Sequence, residues 1–195
     1  MSLQSELIKN VNALPSLKRN KWKPVIILVI ILVTSIAGFT TTQKQYTKKI
    51  DVSKINLELP YKVIKVVDGD TFDIKVNGQT AKVRMIGVDT PETVDPRKVV
   101  QCFGKEASDM TKKLILDQVV TLKTDPTQGI SDKFGRLLAY VYRDDGLFVN
   151  QYLIENGYAH EYTYNIPYQK QDSFKTLAKE AREQKLGLWS SCSSI

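Results

Sequence analysis

Histidine is almost absent from this chain of 195 residues, which contains only His160. Zinc catalysis usually needs two or three imidazole ligands, and a Ser/His/Asp triad needs a third group for which the chain offers no suitable sequence context. The chain also lacks a P-loop and the glycine fingerprint of dinucleotide-binding proteins. Because a lone histidine is more often a surface or packed residue than a ligand, we assign His160 no chemical role.

The excess of positive charge is confined to one part of the chain. The formal net charge is +7, with 28 Lys and Arg against 21 Asp and Glu. From residue 59 onward, 19 basic residues stand against 18 acidic ones, a balance of +1 that leaves +6 for the first 58 residues. The C-terminal part therefore lacks the basic surface typical of many nucleic-acid-binding domains, and any such function must rest on local chemistry.

The apolar run near the N-terminus is short. Val25–Phe39 contains no charge, but its 15 residues fall below the roughly 20 that cross a bilayer. Basic residues precede it, and Ser35-Ile36-Ala37 fits a small-x-small cleavage site. We predict a signal peptide over residues 1–37, with an uncleaved signal anchor as the alternative. Either one would place the rest of the chain outside the cytoplasm, secreted or anchored to the outer face of the cell membrane.

Only two cysteines are present, which is too few for a zinc ribbon. In the oxidising compartment that an export signal implies, an isolated pair usually forms a disulfide. We therefore predict a bond between Cys102 and Cys192 that ties the C-terminus to the loop after the proline turn at Pro91. Two inert thiols are the alternative.

The remaining sequence predicts one folded domain over residues 59–195, preceded by a flexible polar tether over residues 38–58. Asn77-Gly78 is a strong two-residue hairpin signal between two segments rich in β-branched residues. Sequence periodicity predicts strands over 61–67, 71–76, 80–86, 119–123 and 137–142, and helices over 103–116, 148–156 and about 167–187. Five strands with three helices predict an α+β fold, a small Greek-key barrel of the OB type that carries helices.

Asp68-Gly69-Asp70 places two carboxylates on a tight turn between the first two predicted strands. Turn chemistry alone would explain these residues, because Asp and Gly are both favoured in turns. The segment also begins like an EF-hand loop, but Asp73 stands where that loop requires glycine, so this interpretation is excluded.

Arg84 lies in an otherwise apolar strand, five residues before the acidic turn Asp89-Thr90-Pro91-Glu92. Strict alternation would direct Arg84 and Asp89 to opposite faces of the strand. Glycine within a strand often marks a bulge that redirects side chains, so we predict that Gly87 brings the two residues together. A strand that merely ends in a proline turn with solvated acids is the alternative.

Three motifs in register resemble the staphylococcal nuclease (thermonuclease) family. They are Asp-Gly-Asp-Thr, then Arg-x-x-x-x-Asp-Thr-Pro-Glu, then Asp-Lys-x-Gly-Arg before an apolar strand, in the same order and with nearly the same spacings. Each motif is weak alone, but the three together are specific, and the resemblance covers about Leu59 to Ser190. The resemblance implies an OB-fold barrel with helices and a calcium-dependent endonuclease that hydrolyses DNA and RNA.

The resemblance also implies a Ca²⁺ site. Its ligands would be Asp70, Asp89 and the main-chain carbonyl of Thr90, and Asp68 would contribute nearby through water. So few protein carboxylates imply weak binding, with Kd of ~10⁻⁴–10⁻³ M, the range of extracellular sites.

The catalytic residues that the resemblance implies are Arg84, Glu92 and Arg136. Glu92 would orient or deprotonate the attacking water, and the two arginines would bind the phosphate. Elementary chemistry agrees, because attack on a phosphodiester concentrates negative charge on the non-bridging oxygens, where a cation and two guanidinium groups stabilise the transition state. One glutamate that does not bind the metal can serve as the base.

Substrate binding is assigned to Lys133, Tyr162 and Tyr164. The tyrosines can stack on bases, with packing under the last helix as the alternative, whereas Lys133 on its turn can equally be a solvated charge. The family commonly has tyrosine where Phe134 stands, so a possible hydrogen bond to a terminal phosphate is lost.

Two other classes of function are weighed against the nuclease. A barrel that binds single strands without catalysis is expected to have lost an arginine or the glutamate, yet Arg84, Glu92 and Arg136 are all present. A membrane-tethered structural or adhesion domain would not explain why these two arginines and the glutamate occur together. We expect a monomer without a protein partner, whose only membrane contact is through the N-terminal segment.

Overall fold

The computed structural model describes residues 50–93 and 100–192. The predicted signal segment and most of the predicted tether lie outside these residues. Within the described ranges, no helix is both long enough and apolar enough to span a bilayer.

Five strands close into a barrel in the order β1-β2-β3-β6-β5, as the sequence predicts. β1 pairs with both β2 and β5, which closes the ring, and the contact between β3 and β6 is the parallel one. Two short strands, β4 and β7, form a separate antiparallel pair. The strands are β1 Tyr61–Val66, β2 Thr71–Val76, β3 Gln79–Met85, β4 Val88–Asp89, β5 Val119–Lys123, β6 Leu137–Arg143 and β7 His160–Glu161.

Three longer helices pack around the barrel, and a single helical turn follows the last of them. The bounds are α1 Gly104–Ile115, α2 Val149–Glu155, α3 Gln171–Glu183 and α4 Leu188–Ser191. α2 packs against both β6 and α3, so it connects the barrel to the C-terminal helix. The predicted α+β barrel of the OB type with three helices is confirmed.

Alternating apolar residues of the strands fill the barrel interior. Val63, Phe72, Ile74 and Val83 are completely buried, as expected for side chains that point inward from neighbouring strands. The hairpin between β2 and β3 turns through Asn77 and Gly78, whose positive φ angles of 46° and 80° match a type I′ turn. The hairpin signal in the sequence is therefore confirmed.

Two boundaries differ from the sequence prediction. Residues 52–54 form a short 3-10 helix, and Val52 and Ile55 are buried in the core, so the end of the predicted tether is packed onto the domain. The last helix begins at Gln171 and not near Pro167, because the backbone first makes a turn in which Gln171 donates to the carbonyl of Tyr168.

The structure contains the predicted disulfide between Cys102 and Cys192, with Cα atoms 5.9 Å apart. The bond joins the residue two positions before α1 to the residue after α4. The segment before α1 and the C-terminal turn are therefore covalently connected across 90 residues of sequence.

Candidate active site

A turn at Gly87 brings Arg84 to Asp89. β3 ends at Met85, Gly87 has a φ of +74°, and the chain then enters β4, which pairs with β7 and not with the barrel. Arg84 Nη2 donates to Asp89 Oδ1 at 2.9 Å and to the Val88 carbonyl at 3.0 Å. The predicted meeting of Arg84 and Asp89 is confirmed, although the redirection comes from a turn between two strands and not from a bulge within one.

Glycine is required at this turn for two reasons. A φ of +74° lies in the left-handed region that side-chain-bearing residues rarely adopt. In addition, a Cβ on Gly87 would lie 2.7 Å from the ring of Tyr168 and 2.8 Å from that of Phe174. The position of Arg84 relative to Asp89 thus depends on close packing as well as on the turn.

Asp70 is the buried carboxylate of the site and lies directly before β2. Its side chain accepts hydrogen bonds from Arg84 Nη1, from Thr71 Oγ1 at 2.9 Å and from the main-chain N–H of Thr90 at 3.0 Å. Gly69 permits this approach, because a Cβ there would lie 2.6 Å from the side chain of Thr90. The structure therefore gathers Asp70, Arg84, Asp89 and Thr90.

Burial and ion pairing have opposite effects on the pKa values of Asp70 and Arg84. Burial raises the pKa of Asp70 to about 6, although the Arg84 guanidinium acts in the opposite direction and Asp68 adds to the rise. For Arg84, burial alone would lower the pKa, but Asp70 and Asp89 outweigh it and the pKa rises. The arginine therefore stays charged, whereas its charge offsets only part of the effect of burial on the carboxylate.

Arg136 is held by the turn that precedes β6. Asp132 Oδ1 accepts the main-chain N–H groups of Phe134 and Arg136, both at 2.9 Å, and Asp132 Oδ2 accepts Arg136 Nε at 2.6 Å. Burial alone would raise the pKa of Asp132, but these hydrogen bonds and the charge of Arg136 hold it below its ordinary value. A charged Asp132 therefore orients the guanidinium of Arg136.

Glu92 lies outside the barrel, between β4 and α1. Its main-chain N–H donates to Gln101 Oε1 at 2.7 Å, and its carbonyl accepts the N–H of Gln101 at 3.0 Å. Its carboxylate accepts the N–H of Thr93 at 2.9 Å. The backbone of Glu92 is thus attached to Gln101, three residues before α1.

A cavity of about 790 Å³ opens beside the two arginines, and we refer to it as the site cavity. Of the predicted site residues, those that line it are Arg84, Asp89, Lys133, Arg136, Tyr162 and Tyr164. Among the described residues, Asp70, Thr90 and Glu92 do not line this cavity, since Asp70 and Thr90 are buried against Arg84 and Gly69. The structure therefore brings both arginines and both tyrosines to one opening.

Aromatic side chains form the outer wall of the site cavity. Tyr162 and Tyr164 are 44% and 62% exposed, and their ring centroids lie 6.4 Å apart. The N–H of Tyr162 donates to the Gly87 carbonyl at 3.1 Å, which attaches this wall to the turn beside Arg84. Lys133 Nζ lies 5.9 Å from the centroid of the Tyr164 ring. Such exposed rings are not packed under the last helix, so that alternative does not hold.

Phe134 lies on the same face and is 64% exposed. Lys133 Nζ is 5.2 Å from its ring centroid, and the Arg136 guanidinium carbon is 5.4 Å from it. The ring of Phe134 therefore contacts both cations of this turn. His160 behaves as a packed histidine, with its ring 4.9 Å from that of Trp189.

Two supporting residues were not assigned a role from the sequence. Asp132 stands in the third motif, and a turn-forming aspartate four residues before an arginine is a usable signal for a partner of Arg136. Gln101 carries no such signal, because its contact with Glu92 joins positions nine residues apart that share no motif or periodicity. Only the folded structure reveals it.

The fold and the site together define a class: an OB-type barrel with an arginine and carboxylate centre beside an aromatic-walled cavity. A scan against family models matches residues 82–191 to "Staphylococcal nuclease homologue". The chain belongs to this family.

Named relatives agree with this assignment. The chain is 40% identical over 166 residues to a protein named Thermonuclease from Staphylococcus hyicus, covering 85% of this chain and 95% of that one. It is 43% identical over 129 residues to the Thermonuclease of Staphylococcus intermedius, covering 66% and 75%. It is also 40% identical over 127 residues to the SPbeta prophage-derived endonuclease YokF of Bacillus subtilis, covering 65% and 42%.

Proposed function

We propose that this protein is a calcium-dependent endonuclease that hydrolyses phosphodiester bonds of DNA and RNA by in-line attack of water. The names of its relatives support a nuclease. The observation that carries the proposal is the placement of Arg84 and Arg136 on one cavity, each oriented by a carboxylate. Two fixed guanidinium groups form a site for a phosphate, because the fork of arginine matches its oxygens.

The two arginines are proposed to stabilise the transition state. Attack by water adds negative charge to the non-bridging oxygens, so groups that are already oriented towards them bind the transition state more strongly than the substrate. Asp132 holds Arg136 through Nε at 2.6 Å, and Asp89 holds Arg84 through Nη2 at 2.9 Å. Pre-orientation of this kind avoids the reorganisation that flexible surface arginines would require.

The residues at the buried end of the site fit Ca²⁺. The carboxylates of Asp70 and Asp89 both contact Arg84, and the main-chain N–H of Thr90 donates to Asp70, so the three residues of the proposed ligand set are neighbours. Hard oxygen ligands are those that Ca²⁺ prefers. Asp70, Asp89 and the Thr90 carbonyl would hold the ion, with Asp68 acting through water, and the ion would supply positive charge to the phosphate.

The Ca²⁺ site is proposed to be weak. Over residues 50–93 and 100–192, no group of three or more His, Cys, Asp or Glu side chains is arranged for a metal. Two carboxylates and a carbonyl correspond to the Kd range of ~10⁻⁴–10⁻³ M that is common for extracellular calcium sites. This affinity suits a protein that is exported or anchored outside the cell, as we propose from its N-terminal segment.

Glu92 is proposed to act as the general base or to orient the attacking water. It is the remaining carboxylate of the motif, and its backbone is fixed by two hydrogen bonds to Gln101. A base of this kind typically contributes a factor of about 10²–10⁴ to the rate.

The substrate is proposed to be single-stranded or locally opened nucleic acid. Tyr162 and Tyr164 are exposed rings beside the two arginines, where bases next to the reacting phosphate can stack. Phosphate-centred recognition carries little base identity, which is why both DNA and RNA are proposed as substrates. We propose that the enzyme acts as a monomer.

The test is cleavage of single-stranded and duplex DNA by the full-length protein in CaCl₂ or in EGTA. We expect cleavage with Ca²⁺ and none with EGTA. Glu92→Gln should lower kcat by about 10²–10⁴-fold, because the amide cannot accept the proton. Val120→Ala is the control, since Val120 is buried in β5, which contributes nothing to the site cavity.

Two results would contradict the proposal in different ways. Cleavage that is unaffected by EGTA would show that the metal assignment is wrong. A folded protein that binds single strands without cleaving them would support the alternative, a non-catalytic binding module built on the same exposed tyrosines.

A further inference from the structure

The backbone of Glu92 is held by one residue at a distant position of the sequence. Gln101 contributes two hydrogen bonds: its side-chain oxygen accepts the Glu92 N–H at 2.7 Å, and its own N–H donates to the Glu92 carbonyl at 3.0 Å. Together they join the segment that ends at Thr93 to the segment that begins at Val100. The backbone of Glu92 can therefore move only if Gln101 moves or if these bonds break.

The start of α1 packs directly on the same backbone. A Cβ on Gly104 would lie 2.8 Å from the side chain of Thr93, 3.0 Å from the Pro91 carbonyl and 3.2 Å from the Glu92 carbonyl. The helix thus approaches the Glu92 segment as closely as a glycine allows. A small shift of residues 101–104 would be transmitted to Glu92.

The segment that carries Gln101 has little burial of its own. Val100, Gln101 and Cys102 are all exposed, and Val100 is 57% exposed. Exposed backbone with few apolar contacts opens easily by local unfolding. Something other than hydrophobic packing must keep Gln101 in place.

The disulfide supplies this restraint. Cys102 is the residue after Gln101, and its bond to Cys192 connects it to α4. α4 is firmly attached, because Leu188 is fully buried and its N–H donates to the Gly157 carbonyl at 2.9 Å. Trp189 of the same turn packs against His160 and Arg182, with ring and guanidinium distances of 4.9 and 4.3 Å.

We infer that Gln101 is a positioning residue for Glu92 and that the disulfide Cys102–Cys192 keeps Gln101 in the position this requires. The inference rests on the proposed function, in which Glu92 acts on the attacking water. It predicts that loss of either element lowers kcat while substrate binding at the arginines and tyrosines is preserved. Gln101 needs only an acceptor oxygen at this position, so glutamate can replace it.

The experiment compares full-length variants for kcat and KM on single-stranded DNA with Ca²⁺. Gln101→Leu removes the acceptor and should lower kcat by about 10–100-fold, with KM within about threefold of the parent protein. Gln101→Glu keeps the acceptor and should restore most of kcat. The double variant Cys102→Ser/Cys192→Ser should lower kcat by about threefold or more, since Gln101 then moves more freely.

Amide hydrogen exchange provides a readout that is independent of activity. The N–H of Glu92 donates to Gln101 and the N–H of Thr93 donates to the Glu92 carboxylate, so both amides report on this arrangement. Their exchange should become about tenfold faster or more in Gln101→Leu and in the double cysteine variant, but not in Val120→Ala. This control separates local loosening from a general loss of stability.

The outcomes separate the two proposals. Unchanged kcat and unchanged exchange in Gln101→Leu and in the double cysteine variant would overturn the inference. If the parent protein cleaves nothing while exchange at Glu92 and Thr93 still depends on Gln101 and the disulfide, the proposed function fails and the positioning contact stands.

Discussion

Arg84 and Glu92 are eight residues apart in the sequence but belong to differently supported parts of the molecule. Arg84 lies on β3, which pairs with both β2 and β6 inside the closed barrel. Glu92 lies outside the barrel and is supported by Gln101 and the disulfide-linked segment before α1. We call these the barrel side and the loop side of the site.

The two sides differ in how function is coupled to stability. On the barrel side, Arg84 is the ion-pair partner of Asp70, whose side chain is only 2% exposed, so removing it leaves a buried charge unpaired. On the loop side, Glu92 is half-buried and its backbone, not its side chain, makes the contacts with Gln101. The comparison indicates that removing the Arg84 side chain affects folding and activity together, whereas changing the Glu92 carboxylate affects mainly activity.

Arg84→Ala tests the barrel side and should have the largest effect. Loss of a guanidinium at the phosphate should lower kcat by about 10³-fold or more. Loss of the partner of buried Asp70 should also reduce the free energy of unfolding by about 3–5 kcal/mol. Nuclease assays and urea unfolding without Ca²⁺ measure the two effects separately.

Glu92→Gln is the matched variant on the loop side. It should lose activity to a similar extent but change the free energy of unfolding by less than about 0.5 kcal/mol, as is usual for partly exposed side chains. Equal losses of stability in the two variants would remove the distinction between the sides.

Much of the barrel side could be predicted from the sequence. Alternating β-branched residues and the Asn77-Gly78 hairpin locate β2 and β3 to within one residue, and this placement puts Arg84 beside the turn that holds Asp70. The prediction succeeds because these contacts are set by strand pairing between segments that are neighbours along the chain.

The loop side could be predicted less completely, because its contacts are set by long-range packing. The contact between Gln101 and Glu92 joins two loop positions with no periodicity to predict it. For the same reason the burial of Val52 and Ile55 was missed, since two apolar residues in a polar stretch give no pattern. The role that we propose for Glu92 rests on the family motif and not on local structure.

Asp125 joins β6 to the segment before α3, and its substitution should have the next largest effect. It accepts hydrogen bonds from Tyr140 of β6 and, at 2.7 Å, from the N–H of Gln169, close to the wall of the site cavity. Burial alone would raise its pKa, but the bonds from Tyr140 and Thr127 hold the pKa below its ordinary value. Asp125→Asn should therefore reduce the free energy of unfolding at pH 7 by about 2–3 kcal/mol.

The lowered pKa of Asp125 determines how its contribution to the stability of the fold changes with pH. A carboxylate with a depressed pKa stabilises the fold above its unfolded pKa of about 3.9, and this contribution disappears as the pH falls through the lower folded value. Asp125→Asn should thus lose less stability than the parent protein between pH 5 and pH 3. Asp144→Asn, at an exposed position, should follow the parent curve. If the two variants lost stability in parallel, the charge of Asp125 would not be what stabilises the contact between β6 and the segment before α3.

Tyr164→Ala tests the outer wall of the site cavity and should have the smallest effect of the series. Loss of one stacking ring is worth about 1–3 kcal/mol, so KM for single-stranded DNA should rise by about 5–150-fold. kcat should stay nearly constant, because the ring is 62% exposed and approaches the cationic centre only at Lys133. Tyr164→Phe keeps the stacking surface and should retain the parent KM.

The salt dependence of KM distinguishes stacking from an electrostatic role. Tyr164 carries no charge, so Tyr164→Ala should leave the slope of log KM against log salt unchanged, whereas Lys133→Ala should reduce it because one phosphate contact is lost. A reduced slope in Tyr164→Ala would mean that the ring acts by holding Lys133, whose Nζ lies 5.9 Å from the ring centroid. In that case the wall would belong to the phosphate site and would bind the backbone of the substrate, not its bases.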